Sequence, residues 1–167
     1  MASKPSVLIL MGSDSDLPVM QEARDALKIF GIPCRLTISS AHRTPERTLK
    51  LASSAERDGI KVIIAGAGCA AHLAGFIASE TTLPVIGVPI DSGSLNGLDA
   101  LLSTVQMPGG VPVACMAIGK AGAKNAGIFA AEMLSLSDGK IRAKLKEYRK
   151  RLAKEVEKKA EKIGHGS

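Results

Sequence analysis

The chain has 167 residues, of which 46% are hydrophobic, 23% are charged and 2% are aromatic. A chain of this length is expected to form one domain that buries most of its unfolded surface. Its net charge of +6 arises in residues 138–167, which hold 11 of the 22 basic and 5 of the 16 acidic residues. Residues 1–137 carry 11 charges of each sign. A neutral body with so few aromatic residues argues against a nucleic-acid-binding protein.

The ends and the cysteines bear on where the protein works. Residues 1–4 lead directly into a strand-like segment, so we expect no signal peptide, and no apolar stretch suits a membrane span. Cys34, Cys69 and Cys115 are odd in number and widely spaced in apolar segments. They predict buried, reduced thiols in a cytoplasmic protein. No HExxH motif, CxxC pair or carboxylate cluster indicates a bound metal.

Strand-like and helix-like segments alternate along the first 137 residues. Apolar or β-branched runs predict five strands, at residues 6–11, 32–39, 61–65, 84–89 and 111–118. Helical spacing and terminal residues predict helices that end at residue 30, span 45–58, begin near residue 70, and span 98–106 and 121–136. This alternation predicts an α/β fold: a three-layer, doubly wound sandwich around a central parallel sheet.

The last 30 residues differ in character from the rest. From Asp138 onward, apolar residues step by three or four positions along an otherwise charged segment: Ile141, Leu145, Tyr148, Leu152 and Val156. This spacing predicts an amphipathic helix whose stripe lies on its own domain or on a neighbouring subunit. We therefore treat residues 138–167 as a C-terminal helical extension of the 1–137 domain.

Two polar loops follow the first two predicted strands. Ser13 and Asp16 lie in the first, where hydroxyl and N–H groups can hold a phosphate at a helix N-terminus and a carboxylate can accept from ribose. His42 and Arg43 lie in the second, where imidazole can move a proton and guanidinium can grip a phosphate. Turn formation, capping and surface pairing are the alternative roles. Because both loops lie at carboxyl ends of strands, they predict proton chemistry on a phosphorylated small molecule.

A third loop, Gly66–His72, follows the third predicted strand. It matches the G-x-G-x-x-A pattern of dinucleotide-binding proteins, and Asp91 lies about twenty residues further on. A single match is weak evidence, and the glycines also suit close approach of a backbone to a small substrate. His72 begins an apolar helix, so the residue pattern alone favours a structural role for it.

Four ordered segments carry a resemblance to a known family: Met11–Asp16, Ser40–Pro45, Ala65–Leu73 and Val105–Val113. Over roughly residues 5–137 the chain resembles the class I N5-carboxyaminoimidazole ribonucleotide mutases, the PurE family. The resemblance implies a flavodoxin-like fold and a homo-octamer in which the C-terminal helix reaches across subunits. It implies no metal and no organic cofactor. It also implies a nucleotide substrate, N5-carboxyaminoimidazole ribonucleotide, which is a carbamate. It implies a functional link to the ATP-dependent synthetase that makes this substrate.

The resemblance also implies a reaction and residue roles. A carboxylate would move from the exocyclic nitrogen to ring carbon C4 through trapped carbon dioxide, with His42 as the proton shuttle. Ser13, Ser40 and Arg43 would hold the phosphate and Asp16 the ribose. The pocket for base and carbon dioxide would be shaped by Ala67, Gly68 and Leu73, with His72 nearby. The alternatives are direct carboxylation of aminoimidazole ribonucleotide and a dinucleotide-binding module that uses the Gly66–Gly68 loop.

Overall fold

Five parallel strands form the centre of the computed structural model, which describes residues 4–164. The strands are β1 (Val7–Met11), β2 (Cys34–Ile38), β3 (Val62–Gly68), β4 (Val85–Ile90) and β5 (Ala114–Cys115). They pair in the order β2-β1-β3-β4-β5, and every pairing is parallel. This is the strand order of flavodoxin-like sheets. The predicted three-layer fold with a parallel sheet is confirmed.

Within residues 4–164, six α-helices accompany the sheet: α1 (Leu17–Phe30), α2 (Pro45–Ser54), α3 (Leu73–Ser79), α4 (Leu98–Val105), α5 (Gly119–Ser135) and α6 (Gly139–Gly164). One face of the sheet packs against α1 and α5, and the other packs against α2 and α3. Helix α4 lies on the α3 side, because a Cβ on Gly87 of β4 would meet both Thr104 and Ala74. Within residues 4–164, no helix combines the length and apolar content needed to cross a membrane.

Alternation along the central strands explains their continuous apolar sequence. In β1, Val7 and Ile9 face the cluster under α1 and α5, whereas Leu8 and Leu10 face the cluster under α2 and α3. All four side chains are at most 2% exposed. A parallel strand covered on both faces buries every side chain, so its sequence shows no polar alternation.

Two strands differ from the sequence prediction by three residues at a boundary. Strand β3 continues through Gly68 instead of ending at residue 65, and Gly66–Gly68 pairs with Val88–Ile90 of β4. Strand β5 spans only Ala114–Cys115 instead of residues 111–118. Pro112 has no N–H to give to a ladder, which shortens the strand from its start.

Two helix boundaries also differ. Helix α2 ends at Ser54, four residues before the predicted end, because the Ile60 N–H turns back to the Ala55 carbonyl at 3.0 Å. Gly59 has a φ of +93° in this turn, a conformation that glycine adopts without steric cost. Helix α3 begins at Leu73 rather than near residue 70.

Helix α6 rests on its own chain only along its first half. Leu145 and Tyr148 are buried, and the Tyr148 ring meets Phe30 edge to face at 5.5 Å between centroids. Further along the same stripe, Leu152 is 37% exposed and Val156 is 66% exposed. In the single chain, Leu152 is therefore partly covered and Val156 is mostly uncovered. Residues 1–3 and 165–167 lie outside the part of the chain that the structure describes. The prediction of no signal peptide falls on the first of these segments.

The cysteine prediction is correct about free thiols and wrong about burial. All three cysteines are free, but Cys34 and Cys115 are only half-buried and Cys69 is exposed. The physical reason is the sheet order, which makes β2 and β5 edge strands, while Cys69 lies past the end of β3. Partial burial still raises the pKa of the Cys34 and Cys115 thiols above the ordinary value of 9.0.

Candidate active site

A cavity of about 310 Å³ opens where the loops after β1, β2, β3 and β4 meet. This is the carboxyl edge of the sheet, where open α/β sheets place ligands. The lining residues are Gly12, Ser13, Ser15, Asp16, Ser40, Ala41, His42, Arg43, Ala67, Gly68, Ala70, Leu73 and Ser92. Every site residue predicted from the sequence is among them except His72.

The first loop is held by a reciprocal pair of hydrogen bonds. The Ser13 N–H donates to Asp16 Oδ2 at 3.0 Å, and Ser13 Oγ accepts from the Ser15 N–H at 3.4 Å. Asp16 therefore serves the turn, as the alternative role proposed, while still lining the cavity. It is 5% exposed, and this burial raises the pKa of its carboxyl above 3.8, although N–H donors and the Arg43 charge oppose the shift.

The Arg43 side chain links the second loop to the first. Its Nη2 donates to the Gly12 carbonyl at 2.8 Å, and its Nε and backbone N both point to Ser40 Oγ, at 3.5 and 3.2 Å. Among the ion pairs of residues 4–164, none involves Arg43. The surface ion pair considered as an alternative role is absent there. Three guanidinium N–H groups remain for an anion in the cavity.

His42 and His72 meet at the rim of the cavity. His42 Nε2 lies 2.9 Å from His72 Nδ1, and the two rings stand edge to face with centroids 5.1 Å apart. One nitrogen must donate and the other must offer a lone pair, so this bond excludes two imidazolium rings. His72 thus does not line the cavity, but its ring contacts His42, the predicted proton carrier.

The glycine segment has a different setting from a dinucleotide-binding loop. That fingerprint needs a tight turn that opens a helix directly after a strand, whereas Gly66–Gly68 is still strand here. A Cβ on Gly68 would overlap Ser92 Oγ, and one on Gly66 would overlap Met20 Sδ. Gly66 therefore permits close packing of β3 against α1, and Gly68 permits close packing of β3 against the segment after β4. Gly68 also forms part of the cavity wall.

Five lining residues were missing from the predicted site; four lie in the three predicted loops and the fifth, Ser92, lies outside them: Gly12, Ser15, Ala41, Ala70 and Ser92. Ser92 lies two residues after β4 at the same sheet edge, so the strand-end argument used for His42 would have selected this segment. Cys69, with a φ of +51°, turns its thiol to donate to the Ser92 carbonyl at 2.9 Å. Asp91, the fingerprint partner in the dinucleotide hypothesis, does not line the cavity.

Metal chemistry has no cluster of donors to support it in this region. Among residues 4–164, no group of three or more His, Cys, Asp or Glu side chains is arranged to hold a metal ion.

Comparison with known proteins gives a consistent result. A family model described as AIR carboxylase matches residues 6–155. The N5-carboxyaminoimidazole ribonucleotide mutase of Thermotoga maritima is 58% identical over 159 residues, covering 95% of this chain and 92% of that protein. The mutase of Escherichia coli K12 is 49% identical over 150 residues, covering 90% and 89%. The crystal structure of Treponema denticola PurE matches with a TM-score of 0.86 at 33% identity, covering 95% and 98%.

Proposed function

The chain belongs to the AIR carboxylase family, and from this premise we propose that its cavity catalyses the N5-carboxyaminoimidazole ribonucleotide mutase reaction. This is an isomerase step of purine biosynthesis. One observation carries the proposal: His42 and Arg43 line one cavity in a chain 58% identical to a mutase. The first group moves protons near neutral pH, and the second binds phosphate.

The reaction requires two proton movements and no net change in protons. The bond from the exocyclic nitrogen to the carboxyl carbon breaks, which releases carbon dioxide and leaves a nitrogen that takes up a proton. Carbon C4 of the electron-rich aminoimidazole then attacks carbon dioxide, and the C4 proton departs to restore the aromatic ring. A single proton carrier can serve both steps, because one step consumes the proton that the other returns.

We assign that carrier to His42. Its bond to His72 Nδ1 at 2.9 Å supports this role, because a partner nitrogen fixes the orientation of the imidazole ring. His72 is then a positioning residue for the His42 ring. An imidazole held in one orientation avoids the entropy cost of finding the reactive geometry.

The polar side of the cavity suits a ribonucleotide phosphate and sugar. Arg43 brings free N–H donors and an unpaired charge, and Ser13 and Ser40 bring hydroxyls on neighbouring loops. Asp16 uses Oδ2 for the Ser13 N–H, which leaves Oδ1 to accept from ribose hydroxyls. We propose phosphate binding by the first three residues and ribose binding by Asp16.

The apolar side of the cavity suits the base and the carbon dioxide intermediate. Ala67, Gly68, Ala70 and Leu73 present small or apolar surface, and Leu73 is only 3% exposed. Carbon dioxide that escapes is lost to the reaction, so a close-fitting, water-poor wall raises the chance of recapture at C4.

We further propose self-assembly as an octamer through surfaces that the single chain leaves uncovered. Leu98, Leu102 and Val105 form one stripe on α4 and are about half exposed, and Val156 on α6 is 66% exposed. Apolar stripes of this kind usually mark contact surfaces. We assign residues 138–167 to this interface, the protein to the cytoplasm, and its supply of carbamate to an ATP-dependent synthetase.

The first experiment follows the reverse reaction. Purified protein is incubated with 4-carboxyaminoimidazole ribonucleotide, and its conversion to the carbamate is measured by absorbance. We expect conversion by the native chain and none by His42→Asn, which should still fold and bind the nucleotide. No conversion by folded native protein would reject the mutase assignment. A forward rate that depends on added aminoimidazole ribonucleotide and free carbon dioxide would instead indicate the direct carboxylase.

A further inference from the structure

Two fully buried hydroxyls lie beneath the loop that carries His42. Ser39, at the end of β2, is 1% exposed, and Thr48, in the first turns of α2, is 0% exposed. Their oxygens, Ser39 Oγ and Thr48 Oγ1, are 2.8 Å apart. Neither residue lines the cavity. Buried hydroxyls are costly unless paired, so this pair stabilises one arrangement of β2 and α2.

The direction of these hydrogen bonds follows from counting protons. Thr48 Oγ1 donates to the Thr44 carbonyl at 3.1 Å. A hydroxyl has one proton to donate, so Ser39 must be the donor in the Ser39–Thr48 bond. The result is a directed path from the end of β2, through Thr48, to the backbone of Thr44.

The Thr44 side chain closes a ring around the His42 loop. Its Oγ1 accepts from the Ser40 N–H and donates to the Ser40 carbonyl, both at 3.0 Å. The Thr44 N–H also donates to the Ser40 carbonyl, at 2.9 Å. Residues 40–44 thus form a closed turn with His42 at its middle, tied from below by Thr48.

This turn carries both His42 and Arg43, and Arg43 is also bonded to Ser40 Oγ within it. Arg43 has its own anchor to the Gly12 carbonyl at 2.8 Å. Within residues 4–164, the one hydrogen bond of the His42 side chain is that to His72. Movement of the turn would therefore shift the backbone of both residues, and the bond to His72 would remain to orient the His42 ring.

We propose that Thr48, acting with Ser39 and Thr44, is a positioning residue that sets the place of His42 without touching substrate. This inference rests on the proposed role of His42 as proton carrier. A purely structural role would change only the stability of the fold. A positioning role also lowers kcat in protein that is fully folded.

The test compares Thr48→Val with a matched variant elsewhere. Thr48→Val keeps the side-chain shape and removes the hydroxyl, and we expect kcat to fall about tenfold or more, since small displacements at reacting groups have large effects on rate. KM should change less than kcat, because the Arg43 side chain keeps its bond to the Gly12 carbonyl of the first loop. Thr48→Ser should restore most of kcat. Thr104→Val is the control: Thr104 is 2% exposed and donates to the Ala100 carbonyl at 2.7 Å, away from the cavity.

Two further variants separate positioning from stability. Ser39→Ala combined with Thr48→Val removes both hydroxyls and leaves no unpaired partner, so it should recover stability but not kcat. Recovery of both would show a structural role and overturn the proposal. If Thr48→Val fails to fold, the exposed Thr44 offers a second route, and Thr44→Val should lower kcat in the same way. Full kcat in folded Thr44→Val would equally overturn it.

A spectroscopic measurement distinguishes this proposal from the proposed function. The chain has only three histidines, so their imidazole NMR signals can be resolved in native protein without substrate. We expect the His42–His72 cross-relaxation to weaken in Thr48→Val and to persist in Thr104→Val. If native protein has no mutase activity but Thr48→Val still weakens the His42–His72 cross-relaxation, the proposed function is refuted and the positioning role is supported. An unchanged His42–His72 signal in Thr48→Val would refute the positioning whatever the activity.

Discussion

Gly68→Ala tests the packing of the cavity wall most directly. A Cβ at this position would overlap Ser92 Oγ and would lie 2.8 Å from Ser92 Cβ and 3.2 Å from the Ile90 carbonyl oxygen. Rotation of the serine can move Oγ, but relief of the other two contacts needs a backbone shift. Overpacking of this kind costs about 1–3 kcal/mol. For a chain of this size, that loss lowers Tm by about 2–12 °C.

The assay is urea unfolding of Gly68→Ala and native protein at equal concentration, because self-assembly makes apparent stability concentration-dependent. The double variant Gly68→Ala/Ser92→Gly removes the opposing side chain and should regain most of the lost free energy. Gly109→Ala is the matched control, since a Cβ there meets nothing within 4 Å. A Gly68→Ala protein within about 0.5 kcal/mol of native stability would refute the close approach of β3 to Ser92.

Three further substitutions test separate parts of the structure. Arg43→Met should raise KM about tenfold to a hundredfold, because it removes charge-assisted hydrogen bonds to the substrate. Arg57→Met, at an exposed position away from the cavity, should leave steady-state kinetics unchanged. Lys144→Met should cost about 0.5–1.5 kcal/mol in urea unfolding, because Nζ donates at 2.8 Å to the last carbonyl of α1; an equal loss in the exposed Lys146→Met would contradict this. Because burial raises the pKa of Asp16, its contribution to stability is present below 3.8 and lost as pH rises through the folded pKa. Asp16→Asn should therefore be more stable than native protein near neutral pH, with a gap that closes in acid; a gap that widens in acid would reverse the sign.

Much of the fold was predictable because the local signals agree with the tertiary structure. Gly31 ends α1 with a φ of +72°, as its position after a helical stripe indicates. The β3 boundary was not predictable, because Gly66–Gly68 has the composition of a loop and becomes strand only by pairing with β4. Pairing partners far apart in sequence override local propensity, and a single sequence does not display them.

The candidate site was predictable where one strand end carried its own chemistry. His42 and Arg43 lie in the loop that follows β2, so the strand-end rule places them at the cavity. The contact between His42 and His72 spans 30 positions in the sequence. It arises because β1 alone separates β2 from β3 in the sheet, which brings the ends of both strands together. The residue pattern of His72, an apolar helix start, contains no trace of that neighbour.

The stepped edge of the sheet limits what side-chain mutagenesis can reveal about this cavity. Strand β1 ends at Met11 opposite Gly66, whereas β3 continues to Gly68. Successive residues of a strand direct their peptide groups to opposite neighbours, so Gly68 N–H and C=O face the side that β1 has vacated. Those groups can bind ligand directly, and no alanine scan removes them. Replacing the peptide bond before Gly68 with an ester would remove the Gly68 N–H. The change in ligand affinity would measure how much this main-chain group contributes to binding.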